Sequence, residues 1–339
     1  MAEELAMHFF VEETSFMLPA GIDAAVIERH LDAFISLVNA RHKQGEDVFR
    51  WSKLLGETEV QPGTLLVDVL YQELEHLPLD KDTKLGLMQA LNRCVEWDDR
   101  IEKVPDPRVD IDGVGCEAPT VAVVHSRISA RSGAACLALG ARTDRSGVHI
   151  VRSGDSTREI HFVTHEAALP LFYRTLFEIE ELDADAYMKN APRAFPEIAF
   201  VPGLAEQFSR FDTKYRDVRR AVTKHLGALN DHFPRLIKKH NGQTPLVIAE
   251  LSAYCHVDAS PEGPKTHANK AAMRERDVEI DTVIVGHREV VVGRKVRCEW
   301  HTKIEPDADR IHFHPGDTSD DKVAEGRLVV GIFANHLTT

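Results

Sequence analysis

Apolar residues recur every three or four positions through the first third of the chain. From Asp23 onward this spacing predicts an amphipathic helix with Asp23 as its N-cap, and shorter stripes predict helices near residues 65–70 and 85–95. The pattern stops at residues 104–107, a Val-Pro-Asp-Pro sequence that breaks helices. Residues 1–108 are therefore predicted to form a mostly helical domain.

The middle of the chain mixes helical and strand periods. Three runs rich in β-branched residues predict short strands, at 121–124, 148–151 and 160–163. Residues 166–181 have the spacing of a helix, and an apolar stripe over 204–229 predicts a longer helix of about six turns. Residues 109–250 are therefore predicted to form a mixed α/β domain.

The last part of the chain follows a connector rich in proline and glycine at 258–264. Its β-branched runs predict five strands, at 278–280, 289–292, 295–304, 310–314 and 328–333. Residues 251–339 are thus predicted to form an antiparallel β-sheet domain. The whole chain is expected to be an α+β protein, with a helical N-terminal region, a mixed α/β middle region and this C-terminal sheet.

The predicted strand 295–304 alternates strictly between two kinds of side chain. Its less polar positions are Val296, Cys298, Trp300, Thr302 and Ile304. Its polar positions are Lys295, Arg297, Glu299, His301 and Lys303. The strand 310–314 alternates in the same way, so each strand is expected to present one polar face.

A four-residue loop at 305–308 fixes the register between these two strands. It places His301 opposite His312 and Lys303 opposite Arg310 on the polar face. The same register pairs three further positions, Trp300 with Phe313, Thr302 with Ile311, and Glu299 with His314.

Two cations directly opposite each other destabilise a strand pair unless an anion lies between them. A bound phosphate would supply that anion. One neutral and one protonated imidazole are also what metal-independent cleavage of an RNA phosphodiester requires, because a base must accept the 2′-hydroxyl proton and an acid must protonate the leaving oxygen. The predicted catalytic residues are therefore His301, His312, Lys303, Arg310 and, as an alternative base, Glu299.

Further basic and imidazole side chains are expected to lie along the RNA backbone. They are Lys295, Arg297, His314, Arg274, Arg276 and His336.

The succession of strands from about Arg276 onward resembles the sheet of RelE-type mRNA-cleaving toxins, in the barnase and RelE class of ribonucleases. The sequences that carry the resemblance are Glu299-Trp-His-Thr-Lys-Ile, Arg310-Ile-His-Phe, Arg327-Leu-Val-Val-Gly-Ile-Phe and Asn335-His-Leu. It covers roughly a fifth of the chain. The resemblance implies a metal-independent endoribonuclease with a toxin-like or antiphage role. These toxins usually carry a helical pair before the sheet, where residues 269–276 offer about two turns, and their terminal catalytic group corresponds here to His336.

Two other functions fit the same residues. A non-catalytic subunit that binds nucleic acid or an acidic protein partner would need Lys303 and Arg310 but neither histidine. A zinc enzyme would use His301, His312 and His314 as three ligands, with His336 or water as the fourth.

The net charge of −13 at first argues against nucleic acid as a partner. Residues 1–110, however, carry −11 of that charge, whereas residues 251–339 carry −3. The acidic N-terminal region is thus a candidate surface for a protein partner, and the C-terminal sheet keeps its local basic face. Nothing in the sequence indicates an oligomeric state.

The five cysteines include no C-x-x-C pair, which predicts a reducing compartment. The first residues lack a signal peptide, and no apolar run has the length of a membrane span. The chain is therefore expected to be cytoplasmic and not to contact a membrane.

Overall fold

The computed structural model describes residues 9–19, 21–43, 49–96, 105–305, 308–318 and 321–338. The chain divides into two compact units, Met1–Phe172 and Tyr173–Thr339. Across the described residues, no helix has both the length and the apolar character needed to span a membrane.

The first unit combines a mixed sheet with helices. Its strands are β1 (Phe9–Val11), β2 (Phe49–Trp51), β3 (Glu59–Gln61), β4 (Thr64–Leu65), β5 (Val95–Glu96), β6 (Arg108–Ile111), β7 (Val114–Glu117), β8 (Ala135–Leu137), β9 (Gly147–Ser153) and β10 (Ser156–Val163). Its helices are α1 (Ala24–Lys43), α2 (Leu66–Tyr71), α3 (Lys81–Asn92) and α4 (Pro119–Ser129), and the unit boundary falls within α5 (Leu169–Ile179).

Eight of these strands form one sheet in the order β5-β2-β1-β8-β10-β9-β6-β7. Strands β5, β2, β1, β8 and β10 run parallel to one another, and β9, β6 and β7 are added to β10 by antiparallel pairing. The three residues of β1 are all buried, because parallel strands are covered on both faces. The N-terminal region therefore contributes strands to this sheet as well as the helices predicted from its periodicity.

Helix α4 replaces the strand predicted at 121–124. All four residues of that run are buried, so an apolar run of this length fits a helix packed on several sides as well as a strand. The strands predicted at 148–151 and 160–163 are confirmed as parts of β9 and β10.

The second unit is built around a seven-stranded sheet. Its helices are α6 (Ala184–Ala194), α7 (Leu204–Gln207), α8 (Tyr215–Asp231), α9 (Phe233–Lys239), α10 (Thr244–Cys255), α11 (Pro264–Ala268) and α12 (Lys270–Arg274). Its strands are β11 (Ile198–Phe200), β12 (Ala259–Pro261), β13 (Asp277–Val285), β14 (Arg288–Arg297), β15 (Trp300–Lys303), β16 (Arg310–His314), β17 (Asp317–Thr318), β18 (Asp321–Lys322) and β19 (Leu328–Ala334).

The sheet order is β12-β15-β16-β19-β11-β13-β14. Strand β19 lies in the centre and all of its residues are buried. Strand β11 pairs with β19 in parallel, and the remaining pairs are antiparallel. The predicted α+β class is confirmed, with a largely antiparallel C-terminal sheet.

Two predicted elements are interrupted. The strand 295–304 breaks at Cys298 and Glu299, so β14 and β15 are separate strands with different neighbours. The helix 204–229 is also wrong as one element, because the chain turns between α7 and α8. The carboxylate of Asp309 accepts the backbone N–H groups of Asp212 at 2.7 Å and Thr213 at 3.1 Å and holds that turn.

The boundary between the two units falls inside the segment 109–250, which is predicted from its sequence to form one domain. Both large sheets draw strands from two of the predicted segments. The first combines β1, β2 and β5 with β8 and β10, and the second combines β11 with the C-terminal strands.

Candidate functional site

Strands β15 and β16 pair in the predicted register. His301 lies opposite His312, and Lys303 lies opposite Arg310. Trp300 pairs with Phe313 on the other face, where the Phe233 ring packs edge-on against both at centroid distances of 5.3 and 5.1 Å. This aromatic packing fixes which face of the hairpin carries the imidazoles. Two residues of the connecting loop, Pro306 and Asp307, lie outside the described residues.

The two imidazoles are buried rather than open to solvent. His301 is 8% exposed and His312 is 1% exposed, and their ring centroids lie 5.3 Å apart. On the neighbouring edge strand β12, Ser260 lies directly opposite His301. Its hydroxyl is 3.5 Å from His301 Nε2. The histidine pair therefore lies within the fold beside an edge strand.

A carboxylate reaches the histidine pair from the end of β12. Glu262 follows Pro261, and its backbone N–H donates to the carbonyl of Glu299 at 2.9 Å, which continues the extended pairing. Alternation along an extended chain puts Glu262 on the same side as Ser260. Its Oε1 is 3.4 Å from His301 Nδ1 and 3.8 Å from His312 Nδ1.

Arg276 completes the cluster from the residue before β13. Its Nε lies 2.7 Å from Glu262 Oε1, and its Nη1 donates to the carbonyls of Ala272 at 2.7 Å and Thr338 at 3.0 Å. Arg276 is 1% exposed, so the prediction that it lies along an RNA backbone is wrong. It instead neutralises the charge of Glu262 inside the fold.

The protonation states of this cluster follow from burial and from its charges. Burial alone would raise the pKa of Glu262. The close contacts and charges of His301 and Arg276 have the larger, opposite effect and lower that pKa to about 2. Burial is also the main reason that the pKa of His312 falls to about 3, with His301 adding to the effect. At neutral pH the cluster thus holds an ionised carboxylate and a neutral imidazole at His312.

Several atoms of the cluster lack a hydrogen-bond partner among the described residues. They are His301 Nδ1 and both ring nitrogens of His312, whereas Glu262 Oε1 and Arg276 Nε form their ion pair at 2.7 Å. A buried polar atom without a partner costs about 1–3 kcal/mol, so such atoms are uncommon in folded proteins. The Nδ1 atoms of both histidines approach the same oxygen of Glu262, which indicates a position suited to a ligand.

The Lys303–Arg310 pair lies one step along the hairpin from the histidines. Both side chains are partly exposed. The backbone N–H of Lys303 donates to the carbonyl of Asp258 at 3.0 Å, and the adjacent Asp309 is buried and holds the turn before α8. The backbone beneath this cation pair is therefore fixed on both strands.

The other predicted contacts with RNA are distributed over several elements. Lys295 and Arg297 lie on β14 and form ion pairs with Glu279 at 3.1 Å and Asp277 at 2.6 Å on β13. Glu299 lies between β14 and β15 and is partly exposed. The remaining three are Arg274, exposed at the end of α12; His314, whose Nδ1 accepts the N–H of Gly316 at 3.0 Å; and the exposed His336.

Glu262 is the member of the cluster that sequence reasoning missed. It lies in the connector at 258–264, where a single acidic residue between prolines is typical of a solvated loop. One signal in the sequence could have indicated its position. Pro261 and the residue before it favour extended backbone, and that allows a short edge strand just before Glu262.

Comparisons with protein-family models, with curated proteins and with solved structures find no match to this chain. The resemblance to RelE-type toxins therefore stays a prediction.

Proposed function

We propose that the unit Tyr173–Thr339 binds RNA on the β15–β16 hairpin and acts as an endoribonuclease. The observation that carries this proposal is the position of Lys303 directly opposite Arg310, beside the His301–His312 pair. A phosphate bound between these two cations would accept charge-assisted hydrogen bonds from both and offset their mutual repulsion.

The spacing of the hairpin suits a phosphodiester. Residues two apart on a strand are about 7 Å from each other, so His301 lies one such step from Lys303 on the same face. A backbone phosphate held at the cation pair would bring the neighbouring ribose toward the imidazole cluster. Electrostatic stabilisation of the phosphoryl oxygens would come from Lys303 and Arg310.

The burial of His301 and His312 limits their direct contact with RNA. The metal-independent mechanism predicted from sequence needs an acid and a base within hydrogen-bond reach of the RNA. His301 borders the three-residue edge strand β12, so a shift of that strand on RNA binding would expose it. His312 is 1% exposed, and burial lowers its pKa to about 3, so it is neutral at pH 7 but a weak base, and the role of acid or base falls to His301.

The proposal is tested by incubating the full-length protein with an end-labelled single-stranded RNA, with and without EDTA and with and without added zinc. We expect fragments from wild type, weaker RNA binding by Lys303→Ala, and loss of cleavage with retained binding in His301→Ala. Lys189→Ala, an exposed lysine on α6, is the control of matched charge. RNA that is neither bound nor cut under these conditions would overturn the proposal.

The burial of both histidines favours one alternative, a non-catalytic nucleic-acid-binding subunit. In that case RNA would be bound but left intact, affinity would fall steeply with salt, and His301→Ala would bind as wild type does. Two kinds of protein partner also stay predictions. One is an acidic protein bound by the basic face of the hairpin, and the other is a protein bound by the acidic N-terminal region.

A further inference from the structure

Two distances within the Glu262–His301–His312 cluster lie near the edge length of a tetrahedral coordination sphere. Zinc binds imidazole nitrogen and carboxylate oxygen at about 2.0–2.2 Å with tetrahedral geometry, which separates neighbouring ligand atoms by about 3.4 Å. The Nδ1 atoms of His301 and His312 are 3.4 and 3.8 Å from Glu262 Oε1. One ligand atom from each of the three residues lies within 4.8 Å of the others.

The same distances are too long for a satisfied hydrogen-bond network. An N–H to oxygen hydrogen bond is normally about 2.7–3.2 Å long. In the described part of the chain, His301 Nδ1 and both nitrogens of His312 have no hydrogen-bond partner. His301 Nδ1 and His312 Nδ1 converge on Glu262 Oε1 without a hydrogen bond, which a shared ligand explains better than packing does.

We propose that Glu262, His301 and His312 bind one zinc ion, with the fourth position open to water. Octahedral ions would bring adjacent ligands to about 3.0 Å, so the observed separations favour a tetrahedral ion. The set differs from the three-histidine site predicted from sequence, because Glu262 takes the place assigned to His314. His314 Nδ1 instead accepts the N–H of Gly316.

Arg276 would orient the carboxylate of Glu262 in this site. Its guanidinium holds Glu262 Oε1 at 2.7 Å, and a carboxylate has enough lone pairs to accept that contact and bind an ion as well. Ligating carboxylates are commonly oriented by a hydrogen-bonding partner of this kind. The positive charge also repels a dication, so we expect weaker zinc affinity than these ligands would give without it.

The ion would supply a Lewis acid and a zinc-bound water beside the Lys303–Arg310 pair. This part of the inference rests on the proposed function, whereas zinc binding itself does not require RNA. Zinc coordinated by buried ligands also gives the cluster a chemical role that does not depend on direct contact between RNA and His312.

The test uses untagged full-length protein, treated with chelator, reloaded with one equivalent of zinc and freed of excess metal. We expect about one zinc per chain by elemental analysis, a Tm that rises with zinc concentration, and the visible spectrum of a four-coordinate ion after cobalt substitution. Glu262→Gln and His301→Ala are expected to bind zinc more than about 100-fold more weakly than wild type. His314→Ala is the control, because His314 lies on the same strand as His312. This variant should bind zinc as wild type does.

The outcomes separate the two proposals. Absence of stoichiometric zinc and of any zinc-dependent change in Tm in wild type would overturn the metal site, whatever the protein does to RNA. Equal zinc binding by Glu262→Gln, or iron or manganese retained in place of zinc, would overturn the assignment. RNA binding measured on the zinc-free protein tests the proposed function independently. Where a variant fails to fold, the wild-type Tm and cobalt spectrum decide.

Discussion

His301 and His312 lie directly opposite each other on adjacent strands, and both direct Nδ1 toward the same oxygen of Glu262. Cross-strand pairing explains why the two imidazole rings are in contact. It does not explain why the carboxylate of Glu262, which comes from the edge strand, lies beside both of them. The combination places an ionised acid and two imidazoles at one buried position beside two cations. That arrangement is the structural basis for both proposals.

The ion pair between Glu262 and Arg276 should contribute strongly to the stability of the zinc-free protein. In Glu262→Gln the guanidinium stays buried without its counter-ion, and loss of one partner of a buried pair costs about 3–5 kcal/mol. Urea unfolding in EDTA measures the change in the free energy of unfolding. Glu275→Gln, next to Arg276 but exposed and bonded to Thr338, should lose much less. Equal losses in both variants would contradict the ion pair.

Charge reversal at Lys303 should increase stability while it weakens RNA binding. Lys303→Glu places opposite charges across the β15–β16 pair, and such pairs contribute about 0.2–1 kcal/mol. Lys295→Glu is the matched control, because Lys295 lies opposite Glu279 and reversal there creates a like-charge pair. We expect the two variants to change the free energy of unfolding with opposite signs. A loss of stability in Lys303→Glu would contradict the inference that Lys303 and Arg310 repel each other across the strand pair.

Gly316, between β16 and β17, should not tolerate a side chain. It has a φ of +91°, and a Cβ there would collide with the carbonyl group of Arg327. Gly286 also has a positive φ of +59°, but the space around it is open. We therefore expect Gly286→Ala to cost about 1–2 kcal/mol for left-handed backbone alone, and Gly316→Ala to cost more than about 3 kcal/mol because the clash is added. Thermal unfolding of both variants tests the difference.

Acid should destabilise the second unit through His225. This residue is 5% exposed on α8, and burial, with Lys224 adding to it, lowers its pKa to about 4 from 6.5. Between pH 6.5 and 4 the unfolded chain binds the proton that the folded imidazole does not, so stability falls as pH falls, by up to about 3 kcal/mol.

The free energy of unfolding at pH 7 and pH 4 measures this effect. The difference between the two pH values should shrink in His225→Leu and stay unchanged in His336→Gln, which replaces an exposed histidine. An unchanged difference in His225→Leu would show that other groups cause the acid sensitivity.

The hairpin register could be predicted because its two constraints are local. Strict alternation in both strands leaves one pairing that matches Trp300 with Phe313, and a short loop permits that pairing. The break at Cys298 could not be predicted, because alternation continues through residues 298 and 299 even though the strands on either side have different partners.

Glu262 and Arg276 show why the cluster was incomplete from sequence. Periodicity identifies which residues share a face of one strand, but not which loop residue packs against that face. Arg276 looks like one more surface cation in the sequence, and its burial depends on contacts with Ala272, Thr338 and Glu262 that only the folded chain provides. The same limit applies to β1, whose three apolar residues carry no periodic signal.

The central claim is that Lys303 and Arg310 hold an RNA phosphate, and the salt dependence of RNA affinity tests it most directly. The measurement compares wild type with the double variant Lys303→Ala/Arg310→Ala over a series of salt concentrations. Each phosphate neutralised on single-stranded nucleic acid contributes about 0.7 to the slope of log affinity against log salt, so loss of the one phosphate contact predicts weaker binding and a slope smaller by about 0.7. Equal affinity and equal slope in the two proteins would contradict it.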